Sequence, residues 1–212
     1  ADLRVVTERS RLAMPEISIG LYPDVGASWF LSRLPGKLGL FLGLTGAHMN
    51  GRDALDLGLA DRFLRDEQQD EMLEGLLQLN WQEQTAMQLN SLFKALAQEA
   101  VSQQPEPQWE PRRQQIDEWL DVGDVRCAWR ALSQLREHDD PLFSRAGKTL
   151  SEGSPLSAYL VWEQIRRARH LSLSEVFQME YTLSLNCCRH PEFSEGVRAR
   201  LIDKDQQPHW HW

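Results

Sequence analysis

The chain has 212 residues, 42% of them hydrophobic and 25% charged, and 23 Lys+Arg against 31 Asp+Glu leave a formal charge of −8. This is ordinary globular usage, which excludes collagen, coiled-coil rods and wholesale disorder, and the length suffices to bury a core. An acidic chain without a basic stripe also argues against nucleic acid or an anionic membrane surface as partner, because both need clustered Lys or Arg.

The sequence opens on Ala1-Asp2-Leu3-Arg4 with no Met and no secretory signal, so an upstream part is expected ahead of a strand-like beginning. Leu3-Arg4-Val5-Val6-Thr7 and Arg11-Leu12-Ala13-Met14 read as short strands, and Pro15 ends the second. Pro23-Asp24-Val25-Gly26 is turn chemistry. Residues 28–34 and 37–44 read as two short buried helices split by Pro35-Gly36. Gly51-Arg52-Asp53 opens a third helix, and residues 59–64 form a strand.

From Asp66 onward the pattern is helical. Met72, Leu73, Leu76 and Leu77 make one apolar stripe, and Leu89, Leu92, Phe93 and Leu96 make another. Residues 102–111 carry three prolines and read as a loop. Asp140-Pro141 and Ser154-Pro155 each set a capping side chain before a helix-starting Pro, with Gly153 as the stop between them. Ser172 with Glu175 matches a capping box, and residues 192–202 make a last amphipathic segment. The expected class is mainly α, with a few short strands at the start. No apolar run reaches the ~20 residues that span a bilayer.

Cys127, Cys187 and Cys188 cannot form an even disulfide framework, which fits a reducing compartment. The adjacent pair reads as helix packing. No P-loop, dinucleotide fingerprint, His-Glu-x-x-His, Cys-x-x-Cys or Gly-x-Ser-x-Gly occurs. His209-Trp210-His211 could offer two imidazoles to a metal, but a frayed tail is the expectation there, and no metal site is expected.

The segment that stands out runs from Met14 to Gly26. Glu16 and Asp24 flank a stretch with no basic residue, and burial among apolar groups raises a carboxyl's pKa toward the range of general acid/base or nucleophilic work. The same spacing also fits a surface turn after Pro15 with Asp24 as the N-cap of a helix beginning near Gly26.

Met14-Pro15-Glu16 followed by Ile19-Gly20-Leu21-Tyr22-Pro23-Asp24-Val25-Gly26 resembles the active-site segment of the crotonase (enoyl-CoA hydratase/isomerase) superfamily. It looks most like the 3-hydroxyisobutyryl-CoA hydrolase branch, which carries Asp where hydratases usually carry Gly. The likeness continues through Leu31 to Gly39, Leu44-Thr45-Gly46, Gly51-Arg52-Asp53-Ala54, Met179-Glu180-Tyr181 and Phe193 to Ala199. It implies the C-terminal part of a crotonase-like α/β spiral. Residues 1–65 would close the core and carry the carboxylates, and residues 66–212 would form a helical region of the same domain.

By this resemblance the substrate is an acyl-CoA with a β-hydroxyl, and the reaction is thioester hydrolysis in valine catabolism. Glu16, at a strand end, is the main catalytic carboxylate, and Asp24 holds the hydroxyl or the water. Ile19, Leu21 and Tyr22 line the acyl pocket or pack the core, and Lys204 approaches the CoA or stands as a solvated surface lysine. No cofactor is implied, because CoA belongs to the substrate. The implied compartment is the bacterial cytoplasm or the mitochondrial matrix. The family's two oxyanion-hole N–H groups come from upstream of Pro15-Glu16, so the 212 residues alone are expected to be nearly inactive, with apolar surface favouring self-association. An enoyl-CoA hydratase/isomerase and a non-catalytic helical interaction module are the alternatives.

Overall fold

A computed structural model describes residues 3–211. Their contacts divide into two compact units: the chain up to Leu12 with Met49–Pro111, and Ala13–His48 with the chain from Arg112 onward. Each unit draws on residues from both sides of position 65.

In the first unit, β1 (Val5–Val6) pairs in parallel with β4 (Arg62–Phe63), and β2 (Arg11–Leu12) pairs antiparallel with β3 (Met49–Asn50). The helix α3 (Gly51–Asp56) starts from a capping box. The Asn50 side chain accepts the Asp53 N–H, and the Asp53 carboxylate accepts the Asn50 N–H at 3.0 Å. The other Asp53 oxygen takes the Gln108 and Trp109 N–H groups at 2.7 and 3.1 Å, which ties down the proline-rich stretch.

Helices α4 (Gln69–Leu77) and α5 (Thr85–Ala100) follow. Phe93 and Leu96 of α5 join Leu64 in a core cluster against which Met72, Leu76, Leu89 and Leu92 pack. The expected stripe on α4 is only half right. Leu73 and Leu77 are exposed, because the 100° turn per residue carries them off the narrow face that Met72 and Leu76 press on the cluster.

The second unit holds α1 (Ala27–Leu31), α2 (Leu38–Thr45), α6 (Arg113–Trp119), α7 (Val125–Ser133), α8 (Pro141–Glu152), α9 (Pro155–Ala168), α10 (Leu173–Arg189) and α11 (Pro191–Val197). Every residue of α2 is buried, and α1, α6, α8 and α9 pack around it. Its Phe41 meets Phe143 edge-on at 6.2 Å between centroids, and Trp119 and His138 close on the same ring at 4.7 and 5.1 Å. The expected caps are in place: Asp140 accepts from Leu142 N–H, Ser154 from Ser157 N–H, and Ser172 with Glu175 forms the box that opens α10. α8 stops at Gly153.

The tail is docked rather than frayed. A π-helical turn, Arg198–Ile202, follows α11, and the Arg198 guanidinium binds Glu195, Asp203 and Asp205. The backbone N–H groups of His209 and His211 donate to Glu195 and Glu192, and the Trp210 indole N–H donates to the Glu152 carbonyl at 3.0 Å. Backbone donors with carboxylate acceptors in reach do not fray. Among the described residues no cluster of three metal-ligating side chains occurs, and no helix is long and apolar enough to cross a membrane.

Candidate functional site

The Pro15-Glu16 pair does not sit at a strand end. Strand β2 stops at Leu12, and Glu16 starts a 3-10 turn, Glu16–Ile19. Three contacts fix that turn. Ser18 Oγ donates to the Pro15 carbonyl at 2.7 Å, the Ser154 N–H donates to the Ile17 carbonyl at 3.0 Å, and the Leu21 N–H closes on the Glu16 carbonyl at 3.0 Å. Gly20 ends the turn at φ +72°, and a Cβ there would lie 2.3 Å from the Glu192 carbonyl oxygen, so only glycine fits.

Glu16 is half-buried, and its Oε2 is inaccessible and without a hydrogen-bond partner among the described residues. Burial pushes this carboxyl up to about 7, against a backbone hydrogen bond that pulls it down, and the negative charge of Asp24 adds to the rise. The fold therefore brings Glu16 and Asp24 within electrostatic reach of each other. It leaves Glu16 poised between its two protonation states near neutral pH.

Asp24 does not cap α1, which removes that part of the alternative reading, and Glu16 stands in the turn after Pro15 but half-buried, with one carboxylate oxygen inaccessible. The Ncap of α1 is Gly26, which makes no side-chain capping bond. The N–H groups of Gly26 and Ser28 go instead to the Glu180 carboxylate at 2.7 and 3.0 Å. Among the described residues the Asp24 side chain has no hydrogen bond or ion pair, and it is half-buried.

The remaining expected site residues divide. Ile19 and Leu21 are half-buried on either side of Gly20. Tyr22 is 0% exposed, and its hydroxyl bonds the Glu180 carbonyl at 2.6 Å and Ser184 Oγ at 2.7 Å, so it is a core support and not a pocket wall. Lys204 is exposed in the tail at φ +57°, and no described contact joins its side chain to Glu16 or Asp24. Cys187 is buried with its thiol pushed up to about 11 by burial, as packing requires, whereas Cys188 is exposed.

Glu180 and Gln164 escape a reading of the sequence. Gln164 Nε2 donates to the Pro23 carbonyl at 2.8 Å, so side chains of α9 and α10 hold the Asp24 segment from both ends. The available signal is a carboxylate on the buried face of α10 between Val176 and Cys187.

The profile of the enoyl-CoA hydratase/isomerase family matches residues 1–212. The chain is 38% identical over 210 residues to the mitochondrial 3-hydroxyisobutyryl-CoA hydrolase of Danio rerio, covering 99% of this chain and 54% of the relative. It is 36% identical over 211 residues to that of Homo sapiens, covering 99% of this chain and 53% of the relative. Among solved structures, a carnitinyl-CoA dehydratase from Mycobacterium thermoresistibile superposes with a TM-score of 0.82 at 34% identity, over 98% of this chain and 56% of that one. An enoyl-CoA hydratase from Rhodobacter sphaeroides 2.4.1 superposes at 0.79 and 31% identity, over 100% of this chain and 57% of that one. The chain spans about half the length of the curated relatives it matches.

Proposed function

This chain belongs to the enoyl-CoA hydratase/isomerase family, and on that premise we propose that it supplies the catalytic carboxylates of an acyl-CoA thioester hydrolase acting on a short 3-hydroxyacyl group. One observation carries the reading: Glu16 Oε2 is buried and unpartnered among the described residues, within electrostatic reach of a second carboxylate, Asp24, that no capping duty occupies. A carboxyl held near 7 is half ionised at neutral pH, and its ionised form serves as nucleophile or general base.

As nucleophile, Glu16 adds to the thioester carbonyl, the CoA thiolate departs, and water cleaves the resulting anhydride to the free acid and the regenerated carboxylate. As base, Glu16 takes a proton from the water that attacks the carbonyl directly. Label found in Glu16 after a single turnover in ¹⁸O-water marks the anhydride route with water attacking the Glu16 carbonyl, and trapping of the acyl group on Glu16 by hydroxylamine detects the anhydride whichever carbonyl water attacks. In either route Asp24 holds the substrate hydroxyl, and a site built to bond a hydroxyl rejects analogues lacking it. Ile19 and Leu21 are proposed to line the acyl pocket, and Lys204 to approach the CoA. No metal or redox cofactor enters this scheme.

The relatives named above are mitochondrial, and we assign the protein to a reducing compartment such as the mitochondrial matrix or a bacterial cytoplasm. On α10, Leu173, Phe177, Tyr181 and Leu185 are exposed at four-residue spacing, and self-association through this face is proposed for the chain by itself. A monodisperse monomer in light scattering would count against it.

The deciding experiment joins this chain to the amino-terminal half of a relative and follows thiol release from 3-hydroxyisobutyryl-CoA. Hydrolysis abolished by Glu16→Gln supports the reading, and hydrolysis that survives it refutes the role of Glu16. The hydratase alternative draws on the likeness to a carnitinyl-CoA dehydratase and an enoyl-CoA hydratase. Asp24→Gly separates the two, because it should depress hydrolysis and unmask enoyl-CoA hydration, whereas an unchanged product profile favours the hydratase.

A further inference from the structure

We infer that Glu180, 3% exposed on α10, is a positioning residue that fixes the bend carrying Asp24 and thereby sets the preference for hydroxylated acyl groups. The inference takes its substrate from the hydrolase reading and its geometry from the fold.

The backbone beside Asp24 is strained. Val25 has φ +50° and Gly26 φ +86°, and a β-branched residue in the left-handed region is a genuine outlier. Val25 is also 74% exposed, so its own side-chain packing does not hold it there. Such a conformation persists only where the surroundings over-determine it.

The surroundings here are mostly one residue. The two Glu180 carboxylate oxygens accept the Gly26 and Ser28 N–H groups after the bend, and the Glu180 carbonyl accepts the Tyr22 hydroxyl before it. Gln164 adds its bond to the Pro23 carbonyl.

A simple cap would not need this arrangement. A Ser, Thr or Asp at the Ncap satisfies a helix start locally, and Asp24 stands only two residues away. Instead a buried carboxylate arrives from 154 positions along the chain, and among the described residues the Asp24 side chain is left without a hydrogen bond or ion pair. Glutamine at 180 would accept one of the two N–H groups and turn its own N–H₂ toward the other, so Glu180→Gln releases the bend while keeping its volume.

The test follows the Glu16 side-chain carboxyl by ¹³C NMR titration in the 212-residue chain, in wild type, Asp24→Asn, Glu180→Gln and the double variant. Asp24→Asn should lower the Glu16 midpoint in wild type, and should move it less than half as far when Glu180 is replaced. Equal displacements in both backgrounds overturn the inference. Should Glu180→Gln not fold, Glu180→Asp, which keeps the charge but shortens the reach, takes its place in the same cycle.

The second readout is the ratio of kcat/KM for 3-hydroxyisobutyryl-CoA over isobutyryl-CoA in the protein joined to the amino-terminal half. It should fall about tenfold or more in Glu180→Gln. A parallel fall for both substrates, with the ratio unchanged, marks a structural cap and overturns the inference. Absence of hydrolysis by the wild type sinks the hydrolase reading instead, and the titration cycle still decides whether Glu180 places Asp24.

Discussion

The backbone of Ile19 rests directly on Gly196: a Cβ added at Gly196 would lie 2.2 Å from the Ile19 carbonyl carbon and oxygen. The turn carrying Glu16 is therefore seated on α11 with no room for a methyl group. Gly196→Ala should cost about 1–3 kcal/mol, as overpacking does, and urea unfolding measures it. The same variant should also displace the Glu16 titration midpoint, because the turn must move to admit the methyl.

On the hydrolase reading, Glu16→Gln should leave the fold intact and, in the protein joined to the amino-terminal half, remove ~10²–10⁴ of the hydrolytic rate, the range that a positioned base supplies. It should also stabilise the protein above neutral pH, since it removes a carboxylate charge whose Oε2 is buried without a partner. Thermal melts at pH 8 of the two chains check the second outcome.

The pH dependence of stability has a definite sign. The Glu16 carboxyl titrates at about 7 in the folded chain against an ordinary value of 4.5, so between those values the folded state keeps a proton that the unfolded state has lost. Stability from this group is complete below about pH 4.5 and is lost as pH rises through 7. Each unit of displacement is worth about 1.4 kcal/mol, trimmed by the partial exposure of the side chain. Denaturant midpoints from pH 4.5 to 8 should fall in wild type relative to Glu16→Gln, and parallel curves would remove the basis for a perturbed Glu16.

Asp53 carries a different load. Its carboxylate accepts N–H groups from Asn50, Gln108 and Trp109, so Asp53→Ala leaves three donors without their acceptor. A loss of about 2–4 kcal/mol is expected, more than a cap alone costs. Hydrogen exchange at Gln108 and Trp109 should speed up in the same variant.

What could be read from the sequence follows the range of the interactions. Caps are local, and Asp140, Ser154 and the Ser172–Glu175 box stand where chain order places them. The two carboxylates of the Met14–Gly26 segment stand out in the sequence, but their spacing alone fits both a catalytic pair and a capped surface turn, so it was the resemblance and not the pattern that singled them out. Strand β3 was not foreseen, because a two-residue ladder at Met49–Asn50 has no periodicity to display. The Trp210–Glu152 bond that docks the tail and the Glu180 brace join residues far apart in the chain, and nothing in the spacing of either partner announces them. The 3-10 turn at Glu16 escaped for another reason: Arg11 to Met14 alternates like a strand, but only Arg11 and Leu12 find a pairing partner.

Val25 offers a handle on what the bend is for. Glycine or asparagine accepts its left-handed backbone more readily than a β-branched side chain does, so a screen for heat tolerance should recover one of them at this position. Such winners would trade stiffness for robustness. If the hydrolase reading holds, a looser acidic arm would then let plain acyl chains through, and an engineer seeking a broader thioesterase would start at this position.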